Sequence, residues 1–168
     1  VTEDEDPTGA FVDFDTGWIL EGTATVEPDN QAPDCSVAVP SIDTIWPPNH
    51  KFVSIGVLGV SDPDGDPVTI TIDSIYQDEP VDALGDGRFA PDGAGVGTST
   101  AYIRAERSGT KKVSGNGRFY HIGYTADDGQ GGICSGEVTV AVPHDQATAP
   151  VDDGALYDST VPDRKSVV

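Results

Sequence analysis

Methionine is absent from the 168 residues, aromatic side chains make up only 7%, and nine basic residues face 29 acidic ones. Each shortage excludes something. At a formal net charge of −20 the chain has no basic face for nucleic acid, and anionic membrane surfaces repel it. No apolar run approaches the roughly 20 residues of a transmembrane helix, so membrane insertion is not expected. No stretch carries a convincing helical period. Recognisable catalytic patterns are missing too: His50, His121 and His144 sit in separate segments without zinc spacing. There is no Gly-x-Ser-x-Gly elbow and no His-Glu-x-x-His. The expectation is a protein that is not an enzyme.

What is there reads as β structure. Twenty glycines and 13 prolines favour many short turns over long helices. The length suits one domain with arms, enough to bury a real core. The sequence begins at Val1, which predicts a processed, secreted product. Two cysteines, Cys35 and Cys134, predict one disulfide in an oxidising extracellular compartment, with two buried thiols as the other reading. The acidity fits either a solvated surface or carboxylates gathered around cations.

Three regions follow. Residues 1–34 form an acidic arm with ten carboxylates and no basic residue, containing an apolar island at 11–20 and a short β-prone run at 22–26. Residues 35–145 alternate short β runs with turn chemistry such as Pro63-Asp-Gly-Asp-Pro67 and Asp127-Asp-Gly-Gln-Gly-Gly132. Val68, Ile70 and Ile72 share one face of a run, and Tyr120, Ile122 and Tyr124 share one face of another. About seven such strands predict an all-β antiparallel sandwich. Residues 146–168 are an acidic tail.

Several motifs in series add to this reading: Trp46-Pro-Pro-Asn-His-Lys51, Ser61-Asp-Pro-Asp-Gly-Asp-Pro67, Arg104-Ala-Glu-Arg-Ser-Gly109, the run from Gly117 to Gly129 and Val142-Pro-His-Asp145. Together they resemble a domain of bacterial secreted proteins in the broad immunoglobulin-like, cadherin-like group. The resemblance spans most of the chain from Ala32 onward. It implies an extracellular sandwich with a structural or adhesive role, and it brings no catalytic motif.

Four groups of residues carry candidate chemistry. Asp62, Asp64 and Asp66 alternate around Gly65, a pattern that can converge on one Ca2+ with Asp127 and Asp128 as further ligands; Asp86 and Asp92 bracket another candidate loop. The alternative for each is an Asx-turn capping its own backbone. Cys35 precedes the first strand and Cys134 the last, a position suited to stapling. Five of the nine basic residues fall between Arg104 and Arg118. They read either as ion pairing that blunts a strand edge, or as a patch, with Arg104 and Arg107, that meets the acidic arm of another copy. The run at 22–26, with Trp18, Ile19 and Leu20 as pocket-filling side chains, reads as an orphan strand. It docks on its own sandwich or complements a neighbouring chain. The sequence thus predicts a calcium-stabilised homopolymer, a fibre or surface layer. The alternative is a monomeric adhesion or glycan-binding module using Trp18 or Trp46.

Overall fold

The computed structural model describes residues 29–87, 89–110, 112 and 115–162. Trp18, Ile19, Leu20 and the run at 22–26 lie outside them. The described residues contain nine strands and no helix: β1 (Val39–Pro40), β2 (Phe52–Ile55), β3 (Val57–Leu58), β4 (Thr69–Gln77), β5 (Gly93–Ala94), β6 (Ala101–Arg104), β7 (Arg118–Asp127), β8 (Ile133–Val142) and β9 (Tyr157–Asp158). All strand pairings are antiparallel. One sheet has the order β8-β7-β4-β9, a second β2-β6-β5, and β1 pairs with β3.

The expected all-β sandwich arrangement holds because alternation puts apolar side chains on one face of each sheet. Ile55, Ala101 and Ile103 from the second sheet meet Ile72, Ile75, Tyr120, Ile122, Tyr124, Val138 and Val140 from the first in a single buried core. In β4 the simple alternation breaks. The register with β7 shifts between Ile72 and Ser74, a bulge that adds one residue and lets Ile72 and Ile75 both face inward.

Cys35 and Cys134 are joined in a disulfide with Cα atoms 6.0 Å apart. It ties the start of the domain to the second residue of β8, and disulfides of this kind persist in oxidising surroundings. The strand pattern also runs past the expected boundary at Asp145. β9 pairs with the end of β4, Tyr76 to Asp158 and Gln77 to Tyr157, so the tail is partly built into the sheet. No helix among the described residues is long and apolar enough to cross a membrane.

Candidate functional site

Two ends of the sandwich concentrate the polar side chains. At one end, β7 begins with Arg118 on the same inward face as Tyr120 and Ile122, and its guanidinium is completely buried. A buried cation requires paired anions, and four carboxylates supply them, three from the loop between β4 and β5 and one from just after β6. Arg118 Nε donates to Glu79 Oε2 at 3.1 Å, Nη1 to Asp92 Oδ2 at 2.9 Å and to Glu106 Oε1 at 3.4 Å, and Nη2 to Asp86 Oδ2 at 3.4 Å. Its Nη1 also reaches the Tyr120 hydroxyl at 3.3 Å, and that hydroxyl donates to the Arg104 carbonyl at 2.8 Å.

The carboxylates are held in turn. Gln77 Nε2 donates to Asp92 Oδ2 at 2.9 Å, and the Ala83 amide to Asp86 Oδ2 at 2.6 Å. The Ser108 amide donates to Glu79 Oε2 at 2.7 Å, and the Ser108 hydroxyl to Glu79 Oε1. Asp86 and Asp92, expected to be loop carboxylates in water or at a cation, are interior partners of Arg118.

Above this network lies His50, with φ 63°, a left-handed conformation uncommon outside glycine. Its Nδ1 is 3.1 Å from Glu106 Oε2. Arg104 donates to the His50 carbonyl at 2.9 Å and the Pro91 carbonyl at 2.8 Å, and its guanidinium stacks 4.3 Å from the Phe52 ring centre and 5.3 Å from that of Phe89. Arg107 donates to the carbonyls of His144 and Gly109. Both arginines proposed from sequence as contacts between copies therefore bind their own chain. Three of the motifs noted in the sequence, those containing His50, Arg104 with Glu106, and Arg118, meet at this one place.

Burial pushes the Glu106 carboxyl up to about 9, reinforced by its hydrogen bond to Asp92 and by the Asp92 charge. Glu106 thus keeps its proton at neutral pH. Because the folded value lies above the unfolded one, this contribution is complete below about 4.5 and is lost as pH rises to about 9. Glu106→Gln keeps a donor for Asp92 and an acceptor for Arg118. It is expected to be more stable than the parent near neutral pH, where Glu106 has already lost part of this contribution, and to flatten the fall in melting temperature across that window. Melts at stepped pH check this; an unchanged slope in the variant sinks the protonated Glu106.

The opposite end holds the acidic loops. Asp62 Oδ1 accepts the amides of Asp64 at 2.8 Å and Asp66 at 3.2 Å. Asp127 Oδ1 accepts the Gly129 amide, and Asp128 Oδ1 those of Gln130 and Gly132. These are Asx-turns. The remaining oxygens grip the incoming chain: Gln31 donates its amide at 2.6 Å and its side chain at 2.9 Å to Asp64, and Asn30 Nδ2 donates to Asp128 Oδ2 at 2.9 Å. Asp34 and Ser61 add a β-bridge. Gly132 makes room for the linker, since a Cβ there would lie 2.8 Å from the Ala32 Cα. The structure therefore brings the two acidic loops together around residues 30–34.

As calcium ligands these residues are largely occupied by N–H donors. Among the described residues, no three His, Cys, Asp or Glu side chains converge as a metal needs. Asp62 Oδ2 is buried and without a hydrogen-bond partner. Compared with family models, curated proteins and solved structures, the chain gives no match.

Proposed function

We propose that this chain is an extracellular, immunoglobulin-like structural module, not an enzyme, that holds the segment preceding it at a fixed angle and so builds a fibre or surface layer from copies of itself. The observation that carries this reading is the linker clamp. Asn30, Gln31 and Asp34 bind both acidic loops, and the chain is stapled one residue later at Cys35. A linker bound along its length transmits orientation, whereas a free Gly/Ser-type linker does not. The strand arrangement supports the immunoglobulin-like type: β1 joins β3, then Thr44 crosses to run parallel with Ala141 of β8. Complementation by the run at 22–26 is the assembly step in this reading, and Ca2+ at Asp62, Asp64 and Asp66 would stiffen the clamped end.

Electron microscopy of the whole chain, with calcium and then with chelator, tests the reading. Ordered filaments are expected, fraying on chelation. Asn30→Ala with Gln31→Ala should abolish them while leaving the melting temperature nearly unchanged, because the clamp lies at a solvated end. Monodisperse particles under both conditions would overturn self-assembly.

A second reading, an adhesion module that binds glycans, draws on half-exposed aromatics at the other end, where Trp46 is 44% and Phe89 50% exposed. Glycan-array binding by a monomer, lost on Trp46→Ala, would favour it.

A further inference from the structure

The tail after Val142 crosses the end of the sandwich and returns along its side. On the way Val151 N donates to the Asn116 carbonyl at 3.0 Å, and Asn116 Nδ2 to Asp153 Oδ2 at 2.7 Å. Asp153 N reaches Asp78 Oδ2 at 3.4 Å. Then Leu156 N donates to the Gln77 carbonyl at 3.1 Å, and Ser159 N to the Ile75 carbonyl at 2.9 Å. The Ser159 carbonyl accepts from the amides of Asp92 and Gly93 at 2.9 and 2.7 Å. Fully buried Ser159 thus joins β4 of one sheet to β5 of the other. Gly93 permits this, because a Cβ there would come within 2.9 Å of the Ser159 Cβ. Residues 151–160 form a strap that closes one side of the sandwich through a handful of hydrogen bonds.

One further contact holds the strap. His121 projects from the outer face of β7, with its side chain only 8% exposed. Its Nδ1 lies 2.8 Å from Glu137 Oε1 on β8, and its Nε2 lies 2.9 Å from Asp152 Oδ1 on the strap. Carboxylates only accept, so both bonds form only when both ring nitrogens carry protons. Around His121 the titratable groups are Glu137 from β8, Asp152 from the strap and Tyr76, its register partner on β4. Asp158 lies opposite Tyr76, and Asp78 lies where Asp153 docks. No cation among them replaces the imidazolium.

We infer that the 151–160 strap is latched by doubly protonated His121 and detaches from the β4 edge as that proton is lost. Burial opposes the imidazolium charge, but the hydrogen bonds and charges of Glu137 and Asp152 outweigh it and raise the His121 pKa above its ordinary value. The stabilisation is therefore complete below the ordinary histidine range and disappears as pH rises through the folded value. Above it, a neutral ring can satisfy one carboxylate, and the other faces it unpaired.

Hydrogen-exchange mass spectrometry on the whole chain tests the latch, following the peptide that covers Leu156 to Thr160 from about pH 5 to about pH 8. Global stability also falls across this range through Glu106, so strap opening is read against the core peptides of β7. After correction for intrinsic rates, strap opening should rise about tenfold across the range, as expected for losing a charge-assisted hydrogen bond. Peptides from the centre of β7 should stay protected. His121→Gln should open the strap at every pH and remove the dependence. Asp152→Asn, at an exposed position, should do the same if His121→Gln fails to fold. A strap equally protected throughout, or a pH response that survives in these variants, overturns the inference.

Discussion

Replacing Arg118 with methionine is expected to destabilise the domain by about 3–5 kcal/mol, the range for breaking a buried ionic network by removing one partner. Arg118 is the fully buried cation among Glu79, Asp86, Asp92 and Glu106. Without it, carboxylates that lie buried must take up protons or open the loops to water. At this chain length the loss corresponds to a fall of roughly 10 °C or more in melting temperature. Lowering the pH should restore part of it, because protonation removes the uncompensated charge. Arg118→Lys should rescue little, since one ammonium cannot reproduce a planar fork that reaches four carboxylates. Urea denaturation of the three proteins measures the effect. A loss below about 1 kcal/mol would place the network in the class of surface ion pairs and refute the account.

The second large effect is expected from the disulfide. Cys35 and Cys134 close a loop with a sequence separation of 99, for which the chain-entropy model gives up to about 4.7 kcal/mol. Reduction, or Cys35→Ser with Cys134→Ser, should lower the unfolding free energy by most of that amount, read as a lower urea midpoint at a given slope. The first parts to loosen should be the clamped linker and the start of β8, the two segments that the bond joins. Oxidised and reduced samples with equal midpoints would show that packing alone holds the linker in place.

The strands were legible in the sequence because alternation is local. Tyr120, Ile122 and Tyr124 had to share a face, and they do so in the core. The longer reach of β4 was not legible, since the bulge after Ile72 makes the apolar pattern skip a place. The Arg118 network was missed for a different reason. Its anions lie 12 to 39 residues away along the chain and look like ordinary turn residues. One signal was available: the alternation that turns Tyr120 inward also turns Arg118 inward, and a buried guanidinium demands carboxylates. Glu79, Asp86 and Asp92 in the loop between β4 and β5 were the obvious supply. In the acidic loops, the spacing of Asp62, Asp64 and Asp66 is shared by metal loops and Asx-turns. Only the position of Asn30 and Gln31 shows what the free oxygens grip. β9 escaped notice because two residues, Tyr157 and Asp158, carry no period.

The position of the staple also governs how the module responds to tension. A pull on the linker arrives at Cys35 and passes straight across the sulfur bridge into β8, bypassing the intervening chain, including β1 through β7. With the bridge intact, those residues cannot be drawn out by forces that rupture hydrogen bonds, and only the chain after Cys134 can lengthen. Once the bridge is cut, the separation of 99 residues at about 3.4 Å each releases roughly 340 Å of slack. The same module then becomes a far longer shock absorber, and the redox state of one bond sets its reach.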